Sequence, residues 1–339
     1  MKKIVYLFGA GATQAEKMID FSLKNPGKDM LEEEEVTNRG ITKKVLMKMN
    51  SSGESGDKEI LNRYGLIERE IEESVSEKFP NTDTPTGLRQ VNIELLISAI
   101  ESYQNDSSKK HAQQLRKNFR EAITENIGSE LQANLFKRLL DFHKKIEDKE
   151  TVIGYLTLNY DCLFEKVLEK NNQPIDYGVD FSNVPIIEKA APYFLKLHGS
   201  FNWALDEKRS LLKIGPSGEI NEEQWIPPGA LKNYSPYPYN VLIGKAHELL
   251  SKCDLLRIIG CSLNPTDFGI QSLLFRTQKT LSGNAFEIEL IDQKTQYDDI
   301  KNKSVLSIKR HYRENTDDYP KENAFEDWLD CQDKLTQGD

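Results

Sequence analysis

Five short stretches carry residues that could do chemistry. Gly9-Ala10-Gly11-Ala12-Thr13 directly follows the apolar run Ile4, Val5, Tyr6, Leu7, Phe8. Without a Cβ, Gly9 lets a tight turn close, and Gly11 lets backbone N–H groups approach a ligand. The helix N-terminus behind them carries partial positive charge and unpaired donors, which suits a pyrophosphate. A full dinucleotide fingerprint has a third glycine where this chain has Gln14, so the stretch alone admits a nucleotide loop or a plain strand-to-helix turn. Asn159 and Asp161 follow the apolar run 151–158; the first offers a donor and an acceptor, the second acceptors only. His198 precedes Gly199 and Ser200, and an imidazole titrates near neutrality, where it can take up a proton. Gly260-Cys261-Ser262 and Asp292 complete the set. Each has a bland alternative: helix capping for Asn159 and Asp161, a satisfied core histidine for His198, an ordinary turn at Gly260, a strand-end acid at Asp292.

The elements that must position these residues alternate. Runs 4–8, 151–158, 194–197, 255–259 and 287–291 are short, apolar and rich in β-branched or aromatic types, which predicts strands. Helices are predicted over 13–24, after Asp161 through Leu168, around 241–251 and after Asp267. This order predicts an α/β fold, a Rossmann-like open parallel sheet with helices on both faces, where ligands bind beyond the strand C-termini. All five stretches lie at such strand ends. Residues 25–150 read as a large helical insertion, with apolar stripes at Leu61, Tyr64 and Ile67, at Ile93, Leu95, Leu96, Ile97 and Ile100, and at Leu131, Leu135, Phe136, Leu139 and Leu140, broken at 80–87 and 105–109. The expected organisation is a core of 1–24 and 151–310, the insertion 25–150, and a tail 311–339 with a helix around 325–329. The acid run 32–35 is expected on a solvated face, as are His111 and His143, and His247 receives no role. Residues 206–240 read as loop-rich; Trp203, Trp225 and the aromatics of 234–239 suit a lid, a partner surface or plain packing.

With 339 residues and a formal charge of -9, the chain can bury a sizeable core and lacks the basic balance of a nucleic-acid-gripping protein. Cys162, Cys253, Cys261 and Cys331 stand far apart without a CxxC pair, so no zinc ribbon or disulfide framework is indicated, no metal is expected, and a reduced cytoplasmic protein is the simplest reading. The N-terminal apolar run is too short for a signal peptide, and none approaches a membrane span.

The stretches and their order resemble the sirtuin (SIR2) superfamily, in particular the SIR2-like domains of bacterial anti-phage defence. Gly9-Ala10-Gly11 is similar to the family's Gly-Ala-Gly loop, Thr157-Leu158-Asn159-Tyr160-Asp161 to its Thr-Gln-Asn-Ile-Asp motif, Leu197-His198-Gly199 to its catalytic His-Gly, and Gly260-Cys261-Ser262 to its Gly-Thr-Ser loop. The Asn264-Pro265-Thr266-Asp267 ending resembles the defence domains most. Two sirtuin features are missing. The Gly-Ile-Pro-Asp-Phe-Arg segment has at best an echo in Met18-Ile19-Asp20-Phe21, and the four zinc cysteines of the peptide cleft are absent. The resemblance therefore implies an NAD pocket without the peptide module. It implies NAD+ as substrate, with Asn159, His198 and Asp161 as catalytic residues and Gly9, Ala10, Gly11, Thr13, Gly260, Ser262 and Asp292 as cofactor-binding residues. Asp292 would accept hydrogen bonds from the adenosine ribose and repel the 2′-phosphate of NADP. The implied activity is NAD+ glycohydrolysis in a gated defence effector, access being controlled by the helical block. The alternatives are a deacylase, an ADP-ribosyltransferase or a non-enzymatic nucleotide sensor. Implied partners are further copies of the chain and a HerA-like ATPase.

Overall fold

The computed structural model describes residues 1–52, 55–63, 93–102, 105–128, 130–184, 192–214, 223–227, 232–264, 267–280, 283–311 and 323–337. The chain forms two compact units. One joins Met1–Lys24, Leu131–Ile226 and Lys232–Asp339; the other joins Asn25–Glu130 and Pro227–Leu231. The stripe at Tyr64 and Ile67, the break at 80–87, and Pro265-Thr266 lie outside the described residues, as do the side chains of Leu61 and Leu95.

The first unit is built on strands β1 (Lys2–Phe8), β2 (Glu150–Thr157), β3 (Tyr193–Lys196), β4 (Gly199–Leu205), β5 (Leu211–Lys213), β6 (Glu223–Trp225), β7 (Leu255–Ile259), β8 (Lys279–Thr280), β9 (Gly283–Asn284), β10 (Glu287–Ile291) and β11 (Arg310–His311). Six of them pair in parallel in the order β11-β10-β7-β1-β2-β3. The chain builds outward from β1 in one direction and returns to build outward from β7 in the other. The switch point therefore lies between β1 and β7. Ile4 through Phe8 are all buried, as the continuous apolar run of a central parallel strand requires. On one face Phe8 meets Phe136 at a ring separation of 5.3 Å, and Phe142 meets Trp328 at 5.7 Å, which seats helices Asn134–Lys145 and Ala324–Gln337. On the other face Leu249 of helix Tyr239–Leu250 lies against Gly154 of β2. The predicted doubly covered parallel sheet is what forms.

Several local expectations differ. The insertion was expected to run to residue 150, whereas Asn134–Lys145 packs on the sheet: its amphipathic stripe is legible, but periodicity does not say which surface the stripe meets. The N-terminus of that helix has no capping side chain of its own; buried Glu16 accepts from Leu135 N (3.0 Å) and Phe136 N (2.6 Å) instead. The first helix spans Ala10–Lys24 and so begins before residue 13, inside the glycine loop. The region read as loop-rich contains β5 and β6, which flank β4 in an antiparallel sheet; strands of three residues leave no period to read. Trp203 and Trp225 are buried core residues.

His143 is not a surface histidine: its Nε2 lies 2.6 Å from the Tyr6 hydroxyl, and burial first, then the Arg257 charge, push its pKa down to about 3. Arg257 itself is buried mid-strand, paired with Glu289 (2.8 Å) and Glu150 (2.6 Å), and donates to Tyr6 (3.0 Å). One guanidinium thereby ties β1, β2, β7 and β10 together, and leaving any of these charges alone would be costly. His111 is buried as well, 3.5 Å from Glu59.

The second unit is helical, with Asn38–Ser51, Ser55–Arg63, Ile93–Ser102 and Asp106–Ile127 around Ile41, Val45, Met49, Ile97, Leu115 and Phe119. Asn105 caps helix Asp106–Ile127 by accepting from Ser108 N at 2.8 Å. The acid run opens as a short 3-10 turn, Glu32–Glu34. Among the described residues no helix is long and apolar enough to cross a membrane.

Candidate active site

At the switch point two loops press backbone against backbone. Gly11 N donates to Gly260 O (2.8 Å) and Gly9 N to Ile259 O (3.1 Å). Gly260 has φ +57°, and a Cβ there would lie 2.2 Å from Ala12 N. Only glycine fits. The glycines of both motifs thus serve first to let these loops cross. The amides of Gly9, Gly11 and Ala12 donate to protein carbonyls, while Ala10 stays exposed at the helix N-terminus. Gly260 N in turn donates to Ile291 O (3.2 Å), which brings the end of β10 to the same place.

A directed chain of hydrogen bonds crosses the adjoining ends of β1 and β2. The Thr13 hydroxyl donates to Asp161 Oδ2 (3.0 Å) and accepts from Asn159 Nδ2 (3.1 Å). Asn159 Nδ2 also donates to Gly9 O at 2.9 Å. Asp161 Oδ1 accepts from Leu163 N (2.9 Å), so this acid both takes the first amide of helix Leu163–Lys170 and orients Thr13. The Asn159 amide therefore has one orientation: both hydrogens are committed and Oδ1 is its remaining polar atom. Thr13, Asn159 and Asp161 border a small pocket floored by Phe8, Phe136, Phe164 and Phe194. Beneath it, buried Lys196 pairs with Glu165 (2.8 Å) and donates to the Asp161 carbonyl, which fixes the loop from below.

His198 lies two residues beyond β3, in the turn into β4, and enters a second cluster. Gly199, at φ +75°, turns the chain sharply into β4; a Cβ there would lie 2.3 Å from Gln224 O. His198 Nε2 is 2.9 Å from Asp267 Oδ2 and 2.8 Å from the Tyr234 hydroxyl. Tyr234 donates to Asp267 Oδ1 (2.8 Å), and Lys232 Nζ to Asp267 Oδ2 (2.9 Å). Although burial opposes it, the hydrogen bond and charge of His198 and the charge of Lys232 hold the Asp267 carboxyl well below the usual carboxylate range. Burial, then the Asp267 charge, push the Tyr234 phenol well up. The two clusters are neighbours: Leu197 N donates to Thr157 O (3.0 Å), Ser200 Oγ to Tyr160 O (3.2 Å), and the Tyr160 and His198 rings lie 6.0 Å apart.

Ser262 is exposed at the end of β7, next to the buried Cys261. Asp292 accepts from Gln293 N (2.8 Å), and burial raises its pKa to about 6. Asn159, Asp161 and Thr13 share one network, and His198 stands at the neighbouring strand end in another. Lys232, Tyr234 and Asp267 were not singled out by their chemistry. Asp267 closes the 260–267 motif and Tyr234 lies in the aromatic run, but Lys232 has no signal in the sequence. All four cysteines are free, and among the described residues no group of three or more His, Cys, Asp or Glu gathers as a metal site would.

No curated protein matches the chain. Among solved structures, a Sir2 homologue in complex with NAD is 13% identical, with a TM-score of 0.43, covering 99% of this chain and 91% of that one. A mutant Sir2 homologue in complex with 2′-O-acetyl-ADP-ribose is 14% identical, with a TM-score of 0.44, covering 99% and 93%. A further structure, of a Sir2 enzyme, is 13% identical with a TM-score of 0.39, covering 100% and 94%. The fold assignment stands on the strand order itself. The family model that matches is that of the SIR2-like domain, over residues 154–284, the stretch that contains Asn159, Asp161, His198, Gly260, Ser262 and Asp267.

Proposed function

We propose that this protein is an NAD+ glycohydrolase, cleaving NAD+ to nicotinamide and ADP-ribose. The observation that carries this reading is the oriented Asn159 amide beyond the C-terminal end of β2, bonded to the loop that follows β1 and one strand from a buried histidine, inside a segment that matches the SIR2-like domain. Breaking the C1′–N bond sends its electron pair to the nicotinamide ring nitrogen and leaves an oxocarbenium-like ribose. Water then adds at C1′ and releases one proton. A site for this reaction needs an acceptor to hold the water, a base to take the proton, and walls that keep other nucleophiles out. Asn159 Oδ1 is the acceptor and His198 the base. Asp161 and Thr13 position Asn159. Ala10, Ser262 and Asp292 are the groups for phosphates and ribose.

In the cell this reaction depletes NAD+, so activity must wait on a trigger. The resemblance to anti-phage SIR2-like domains suggests infection as the trigger, with self-association or a HerA-like ATPase as the control. Incubation of the purified chain with NAD+, with and without an acyl-lysine peptide, tests the reading. The expected result is stoichiometric nicotinamide and free ADP-ribose, with the peptide making no difference. Nicotinamide release only with peptide, and an acylated product, would replace it with a deacylase.

A further inference from the structure

The geometry assigns Asp267, Tyr234 and Lys232 a joint positioning role: they lock His198 in the tautomer that carries its hydrogen on Nε2, which makes Nδ1 the atom that takes the proton. This rests on the reading of His198 as the base, but its first test does not need turnover.

Proton arithmetic decides the tautomer. Asp267 Oδ1 accepts from Tyr234 OH (2.8 Å) and from Ile270 N (3.3 Å), while Oδ2 faces Lys232 Nζ and His198 Nε2, each at 2.9 Å. That is the full complement of an ionised carboxylate, which offers only lone pairs. The single hydroxyl hydrogen of Tyr234 goes to Asp267, so toward His198, 2.8 Å away, Tyr234 also offers only a lone pair. A bare Nε2 would then face two lone pairs at hydrogen-bond distance, in a site where His198 and Asp267 are each 4% exposed. With a hydrogen on Nε2, shared between Asp267 and Tyr234, every contact is favourable. Nδ1 has no hydrogen-bond partner among the described residues, and the neighbouring groups are Tyr160, Tyr234, Asp267 and Lys232.

The consequence is functional. A carboxylate bound to the far nitrogen of an imidazole fixes its orientation and stabilises the imidazolium formed on protonation. The proton lost by the attacking water, or by a ribose hydroxyl, passes to Nδ1, and the resulting positive charge is balanced by Asp267. Lys232 keeps that carboxylate ionised. None of the three touches the reacting atoms.

Nitrogen-15 NMR of histidine-labelled protein gives the direct test, with the His198 signals assigned by their loss in His198→Gln. The expected pattern in neutral His198 is a pyrrole-type shift at Nε2 and a pyridine-type shift at Nδ1. The reverse pattern would overturn the assignment even if NAD+ is cleaved. The second test is Asp267→Asn, whose side-chain amide can donate to Nε2 and so invert the tautomer. We expect kcat to fall by about 10²–10⁴-fold with KM within a few-fold of the parent. Asp267→Glu is expected to recover part of this loss, with thermal melting as the folding control. A folded Asp267→Asn protein with the wild-type His198 tautomer and wild-type kcat would contradict the role. Absence of NAD+ cleavage by the unmodified chain, with the expected tautomer, would instead strike the glycohydrolase reading and leave this one standing.

Discussion

Thr13 holds Asn159 through one hydroxyl that both donates and accepts, because the carboxylate of Asp161 can take only the hydrogen and the amide of Asn159 can give only its own. Replacing that hydroxyl by a methyl group keeps the volume and removes both bonds. Thr13→Val therefore frees the Asn159 amide to rotate, and misplacement of a reacting group by about 1 Å costs on the order of 10²-fold in rate. The expected outcome is a loss of kcat of about 10- to 100-fold in a protein that melts near the parent temperature. Thr13→Ser should retain most of the activity. Equal loss in both variants would show that packing of the β-methyl group, not the hydrogen bonds, matters here. The candidate residues were visible in the sequence by their types. Their division was not: a sequence shows that Asn159 has a donor and an acceptor, but only the fold shows that both donor hydrogens go to Gly9 and Thr13.

The loops that cross at the switch point show a different balance between sequence and structure. A strand-to-helix glycine motif suggests a phosphate cradle, yet here its geometry is set by Gly260, more than 200 residues away along the chain. A motif lists local spacing and carries no record of what lands on it from a distance. Gly260→Ala would add a left-handed backbone strain and a methyl group 2.2 Å from Ala12 N, a backbone atom that cannot swing aside. The cost expected is about 2–4 kcal/mol, from the positive φ and overpacking together. Chemical denaturation should show it as a lower midpoint at unchanged slope, and NAD+ cleavage should fall with the displacement of both loops. An unchanged midpoint would mean that the loops separate freely. The strands β1, β2, β3, β7 and β10 were legible from their apolar runs. The antiparallel β4–β6 sheet was not, since β5 and β6 have three residues each.

On the scale of the whole molecule, the fold class followed from alternation, whereas the partners of individual helices did not. Asn134–Lys145 joins the sheet through Phe136 and through Glu16, a carboxylate that no pattern marks as a helix cap. Glu16 also makes stability depend on pH. Burial raises its pKa to about 7, against the opposing hydrogen bonds from Leu135, Phe136 and Asn134. The folded chain therefore holds this proton more tightly than the unfolded chain. The sign follows: its contribution is full at pH values below the ordinary carboxylate pKa and is lost as pH rises toward 7. His143, whose pKa is lowered to about 3, acts in the opposite sense, its contribution being lost as pH falls below the ordinary histidine range. Comparison with Glu16→Gln isolates the first effect. Thermal melts between about pH 4.5 and 7.5 should show the wild type losing on the order of 1–3 kcal/mol relative to the variant as pH rises. Parallel melting curves across that range would contradict the assignment.

The same molecule-wide view makes Asn159 the residue on which the account turns, since the loop after β1 and the Thr13–Asp161 relay both converge on its amide. The most direct measurement is NAD+ turnover against NAD+ binding in Asn159→Ala, with thermal melting alongside. The site should keep NAD+ affinity within roughly tenfold, because the groups proposed for phosphates and ribose are Ala10, Ser262 and Asp292, while nicotinamide release falls by at least about 10²-fold. A folded Asn159→Ala protein that releases nicotinamide at the wild-type rate would contradict the account.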